Sequence, residues 1–232
     1  MTSRPGDDPG LLEFACDYVG LEMHGDAHSH IDALCHVAFG GQLYNGFGAE
    51  TVTDDGARKA SIDRCRDGVV GRGVLLDLPR LRGVPWLEPG EAVGPEELES
   101  AERAQGVRLG PGDILMLRTG HDRRRREIGP WDAAKAKAGL DVSSMALLRA
   151  REISVLGSDG DGDAMPNRVE GVSHPIHALG IAAMGLHFLD SLQLEELARA
   201  CEEEGRWDFF FTVAPLRLEG GTGAPVNPTA IF

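Results

Sequence analysis

The stretch His24-Gly-Asp-Ala-His28-Ser-His30-Ile-Asp32-Ala-Leu-Cys-His36 decides how the rest of this chain is read. Four of the eight histidines and two aspartates fall within these thirteen residues, and His30, Asp32 and His36 form an H-x-D-x-x-x-H spacing. A divalent ion of the zinc or manganese type takes neutral imidazole nitrogen and carboxylate oxygen together, and a catalytic site keeps one position open for water. In an extended segment, alternation turns His24, Asp26, His28, His30 and Asp32 to one face. They cannot all share one ion, because at about 3.3 Å of rise per residue His24 and Asp32 would lie about 26 Å apart in a straight strand. Neighbours such as His30 and Asp32 can share it. A third ligand from this stretch needs a bend, and Gly25 is the residue best suited to allow one. The competing reading is a polar, solvated strand edge with scattered histidines. For His36, after the apolar Ala33-Leu-Cys35 run, the alternative reading is a hydrogen-bonded core residue.

The chain around this stretch has 232 residues, 42% of them hydrophobic and 26% charged, which is a globular composition long enough for one substantial core or two small ones. A formal net charge of -14 argues against a nucleic-acid binder, since phosphate neutralisation needs a basic face. Cys16, Cys35, Cys65 and Cys201 show no C-x-x-C pair, so reduced thiols in a cytoplasmic setting are expected. Cys35 alternates with His36 and is expected to point into the core. The first residues carry no apolar run of signal-peptide length, and no stretch approaches the roughly 20 apolar residues of a membrane span, so neither export nor membrane insertion is expected.

Residues 1–10, polar and rich in proline and glycine, are expected to form a flexible N-terminus, followed by one domain over 11–232 with no linker or internal repeat. Residues 49–68 read as a loop and a short helix. Gly73-Val-Leu-Leu-Asp-Leu78 reads as a buried strand stopped by Pro79, and Pro95-Glu-Glu97 as a helix start whose helix ends before Gly106. Ile114–Arg118 is a second buried strand, with Arg118 and His121 at its end as weaker site candidates. Arg123–Arg126 reads as a solvated loop. A helix near Ser143–Arg151 precedes a strand at Ile153–Gly157. The acidic loop Ser158–Asp163 lacks the flanking helices and the twelfth-position glutamate of a calcium loop. Leu194, Leu197, Ala198 and Cys201 recur at helical spacing up to Gly205, Trp207–Ala214 is a strong strand closed by Pro215, and Gly220–Pro228 reads as a glycine- and proline-rich tail.

In these residues the sequence resembles the putative cyclase family, metal-dependent hydrolases that include bacterial kynurenine formamidase and isatin hydrolase. That family's motif has the form H-x-G-T-H-x-D-x-P-x-H, and its second half stands here as His30-Ile-Asp32-Ala-Leu34-Cys-His36, with leucine in place of the common proline. Tyr44-Asn-Gly, Arg118-Thr-Gly, Ser158-Asp159, His177, Asp190-Ser-Leu-Gln-Leu and Gly223-Ala-Pro-Val-Asn-Pro add points of similarity in order along nearly the whole chain. The resemblance implies an α/β fold, a single compact cyclase-like domain of the swivelling β/β/α type with a mixed β-sheet and flanking helices. It implies that His30 and Asp32 bind a divalent metal, zinc or manganese, and that His36 gives and takes protons. The family's first ligand lies four residues before the second histidine, where this chain has Asp26. Either the loop carries two extra residues and His24 ligates, or Asp26 or His28 has taken the role; His24 is preferred for its imidazole and for Gly25 beside it. His177 and Asp190 match a later histidine and acid pair, with aspartate replacing the usual glutamate. An additional N-terminal segment rich in tryptophan and glycine, usual in the family, is not found here, so the chain is expected to be either a short member or one that has lost part of its substrate pocket.

The implied activity is hydrolysis of a carbon–nitrogen bond in a small formamide or cyclic amide, as an arylformamidase performs in tryptophan catabolism, by a homodimer or homotetramer. Water acidified by the metal would attack, with His36 moving the proton to the leaving nitrogen. The same ligands would also serve a cyclase or dehydratase, or a ligand-binding member that has lost turnover. A serine hydrolase is not indicated, since no G-x-S-x-G elbow occurs.

Overall fold

Almost uninterrupted apolar runs build the centre of the fold. Val69–Asp77 (β2), Ile114–Arg118 (β3), Val155–Ser158 (β4) and His187–Asp190 (β5) lie side by side and parallel, β2 from Gly73 onward, where its residues are buried as such strands usually are on both faces. Alternation divides their side chains between two cores: Leu75, Ile114 and Met116 pack on one face, Val74, Leu76 and Leu115 on the other. Antiparallel strands complete the sheet. His30–Asp32 (β1) pairs with β5, Asp208–Val213 (β6) with β2, and the outermost positions go to Gly223–Pro225 (β7) and Thr229–Ile231 (β8), giving the order β7-β1-β5-β4-β3-β2-β6-β8. β7 and β8 sit at opposite ends of this order yet are joined by only Val226–Pro228, so the mixed sheet has to curl. The computed structural model describes residues 6, 10, 12 and 14–232. The flexible stretch expected over 1–10 lies outside the described residues save for Gly6 and Gly10.

The helices start and stop where local chemistry dictates. A short helix over Leu78–Arg82 (α1) carries Pro79 in its first turn and a cap from the Asp77 carboxylate, so the proline that ends β2 also begins a helix. Pro95–Gln105 (α2) has proline and two glutamates in its first turn and Gly106 in the left-handed region after its last. Ser144–Arg151 (α4) and Glu195–Glu204 (α6) follow the expected positions, the latter capped by Gly205.

Several expectations are corrected. The arginine run is a helix, His121–Ile128 (α3), in which Arg123 and Arg126 pair with Glu127 and Asp122 one turn away; four-residue spacing stabilises what composition alone reads as loop. Residues 49–68 form two 3-10 turns and a two-residue hairpin instead of a loop and helix. The glycine-rich tail supplies β7. The extended ribbon over His24–Asp32 is strand only from His30, since Gly25, at φ 152, turns the preceding residues. Among the described residues no cysteine is bridged, and Cys35 is buried as expected, its thiol pushed up to about 11 by that burial. Among the described residues no helix is long and apolar enough to cross a membrane.

Candidate metal centre

His30 and Asp32 share a face of β1 because they are two residues apart, and the antiparallel register with β5 sets Asp190 directly opposite His30. On the other side Asp32 faces Gly223 of β7, where a β-carbon would stand 2.7 Å from the Ile31 carbonyl and 2.8 Å from the His24 ring. Only glycine leaves that ring room. His24 thereby swings back over the strand, its Nδ1 2.9 Å from Asp32 Oδ1 and its Nε2 3.0 Å from the Thr222 hydroxyl.

The result is a convergence on one carboxylate. Asp32, only 1% exposed, has His30 Nε2 at 3.6 Å, His36 Nε2 at 3.9 Å and His177 Nε2 at 3.6 Å in addition to His24. Nitrogen and oxygen atoms of His24, His30 and Asp32 all lie within 4.8 Å of one another, and so do those of Asp32, His177 and Asp190. Both Asp32 oxygens and His24 Nδ1 are nevertheless buried without a hydrogen-bond partner: they are close, but not in donor–acceptor geometry. An unpartnered buried carboxylate is costly, and a divalent cation among two imidazoles and a carboxylate would satisfy all three groups, so the residues fit such an ion. The outer ring nitrogens are already engaged. His30 Nδ1 meets the His28 carbonyl at 3.1 Å, which leaves Nε2 turned inward, the arrangement that fixes a ligating histidine.

His177 enters from Pro175–His177 (α5). Its Nδ1 is 2.6 Å from Asp163, whose two oxygens also accept the backbone N–H groups of Ile176 and His177, and its Nε2 is 3.4 Å from Asp190 Oδ2. His36 stacks on His24 with ring centroids 3.7 Å apart. A cavity of about 430 Å³ opens on these groups.

Environment sets their charges apart. Burial alone would raise the Asp32 carboxyl, but His177 and His24 outweigh it and hold it well below the usual carboxylate range. Burial pushes His36 down to about 4, against the pull of Asp32, which makes it a neutral proton acceptor at pH 7. Burial would lower His177 too, yet Asp163, Asp190 and Asp32 together raise it well above an ordinary histidine. Burial lifts Asp190 to about 6.

Of the residues singled out in the sequence, the structure brings together His24, His30, Asp32, His36, His177 and Asp190. Asp26 is exposed at the cavity mouth, and His28 lines a different cavity. Arg118 is not at the centre; it is buried in ion pairs with Asp77 and Glu195. His121 packs against Trp131 at the start of α3. Sequence reading missed Asp163 and Thr222. Asp163 stood in the acidic loop set aside as no calcium site, and Thr222 in a tail with no distinguishing signal.

A sequence profile described as Putative cyclase matches residues 7–162. Among solved structures, one titled a novel cyclase is similar at TM-score 0.87 and 28% identity, over 98% of this chain and 75% of that one. Isatin hydrolase A from Ralstonia solanacearum aligns at TM-score 0.61 and 20% identity over 87% of this chain and 70% of its own. A potential metal-dependent hydrolase with cyclase activity aligns at 0.55 and 18%, over 90% and 80% respectively. These last two likenesses are of fold. No curated protein matches.

Proposed function

The chain belongs to the putative cyclase family, and from that premise we propose that it is a metal-dependent hydrolase of a carbon–nitrogen bond in a formamide or cyclic amide. The observation that carries this reading is the buried Asp32 carboxylate, without hydrogen-bond partners and ringed by imidazoles. His24, His30 and Asp32 would hold the ion, zinc or manganese, both of which accept this donor set. When bound, such an ion supplies Lewis acidity, polarising a carbonyl and making water acidic near neutral pH.

The chain's own residues do the rest. His36, neutral and facing the Asp32 side of the cavity, takes a proton from the attacking water and returns it to the leaving nitrogen at Nε2. Asp163 holds His177 at Nδ1, so the opposite nitrogen faces Asp32 and Asp190 and offsets part of the negative charge of these carboxylates beside the reacting groups. Thr222 and the His28 carbonyl orient His24 and His30. The isatin hydrolase likeness favours a lactam, and an arylformamidase-like step of tryptophan catabolism is the formamide counterpart. We place the enzyme in the cytoplasm, where its cysteines stay reduced.

The test is metal analysis followed by a panel of formanilides and lactams assayed with zinc and with manganese. Stoichiometric metal with amide cleavage is expected. Metal without turnover would replace the reading with a ligand-binding protein, and ring closure or dehydration without hydrolysis would replace it with a cyclase.

A further inference from the structure

A second cavity, of about 610 Å³, adjoins the metal cavity, and Phe39, Val172 and Ala178 line both. The two differ in chemistry. The first is walled by histidines and aspartates, whereas the second has no charged residue in its lining and offers Leu43, Val142, Leu179 and Ala182 to whatever enters. One wall is the turn Tyr44-Asn45-Gly46, a motif that the proposed chemistry leaves without a role. The other is the π-helix Ala178–Met184, which continues directly from His177. This wall is built in advance of any ligand: a β-carbon at Gly185 would stand 2.4 Å from the Tyr44 ring, so glycine there allows the ring to seat against the end of the π-helix. A preformed, mostly apolar cavity of this size with a few polar groups is the common form of a small-molecule site.

We infer that this cavity takes an uncharged apolar substituent, aryl or branched alkyl, of the same substrate whose amide lies at the metal cluster. The inference rests on the hydrolase reading for the identity of the reacting group, but not for the cavity itself. A charged substituent would lose its hydration with no counter-charge in the lining. Phe39, Val172 and Ala178 belong to both cavities and so mark their common boundary, and the inferred substrate reaches across it, its apolar end against Leu179 and Ala182 and its amide beside Asp32. His177 and the π-helix share one continuous segment, so the wall that selects the substituent is covalently tied to a residue of the centre.

The experiment uses the full chain loaded with zinc or manganese, and compares formanilide with 4-tert-butylformanilide. Wild type is expected to favour the butyl compound at least tenfold in kcat/KM, since buried hydrocarbon adds transition-state binding. Ala182→Trp, which fills the cavity, and Leu179→Asp, which puts a charge at a partly exposed position of its wall, should each bring that ratio close to one while metal content stays stoichiometric. In parallel, the neutral fluorophore N-phenyl-1-naphthylamine is titrated into metal-free protein, where both variants should weaken binding at least tenfold with unchanged circular dichroism. A butyl preference of one in wild type, or one that neither variant reduces, overturns the inference and leaves the hydrolase reading standing. Fluorophore binding lost in both variants, with no amide cleaved by any form, removes the hydrolase reading and keeps the apolar site.

Discussion

Four imidazoles approach the Asp32 carboxylate, and among the described residues no other is shared by the two groupings able to hold a cation. Asp32→Ala should therefore abolish metal retention, measured by elemental analysis after gel filtration; full occupancy in the variant would show the ligand assignment to be wrong. His36 differs, touching Asp32 only at 3.9 Å. His36→Ala should keep the metal and lose about 10²–10⁴-fold in kcat, the usual contribution of a proton-transfer group. A rate near wild type would remove His36 from that role. How far such residues could be read from sequence depended on distance along the chain. His30, Asp32 and His36 lie within one turn-sized stretch and announce themselves by spacing, and Gly25 was legible as the bend that returns His24. Asp163 acquires meaning only through His177, fourteen residues away, and Thr222 only through His24, 198 residues away. Neither partnership has a local signature.

Elements were legible where a terminus carries its own chemistry, as at Pro95 and Gly106 of α2 or Gly205 after α6. They were misread where pairing across the fold overrides composition. α3 shows why. Its mean polarity hides the ion pairs that support it, and its start is anchored from a distant loop: the Asp159 carboxylate accepts the backbone N–H groups of Thr119, Gly120 and His121 as well as the Thr119 hydroxyl. These donors are buried, so Asp159→Ala leaves several unsatisfied at once. Each such group costs about 1–3 kcal/mol, and because the costs are not additive a loss of about 3–5 kcal/mol is expected. Urea unfolding would show it as a lower midpoint at unchanged slope. A change below about 0.5 kcal/mol would mean that the loop and helix can relax to water without the carboxylate.

The curl of the sheet is what joins these parts. β7, drawn from a tail whose glycines and prolines gave no strand signal, pairs with β1 and seats Gly223 against His24, while β5 brings Asp190 from the other side and α5 brings His177. The candidate ligands therefore come from a turn and the strand β1, with Asp190 and His177 from segments much later in the chain, and none of this arrangement survives unfolding. A ligand that binds only the folded chain stabilises it by RT ln(1 + [L]/Kd), about 4 kcal/mol when the free ion stands a thousandfold above Kd. For a chain of this length about 1 kcal/mol corresponds to about 2–4 °C, so stripping the metal with a chelator should lower the thermal midpoint by about 8–16 °C, and restoring zinc or manganese should return it. The same treatment should leave Asp32→Ala unmoved, because that variant has no centre to lose. If chelation shifts wild type and Asp32→Ala equally, the stabilising ion sits elsewhere; if it shifts neither, the imidazoles around Asp32 are held by the curl of the sheet alone and bind no cation of consequence.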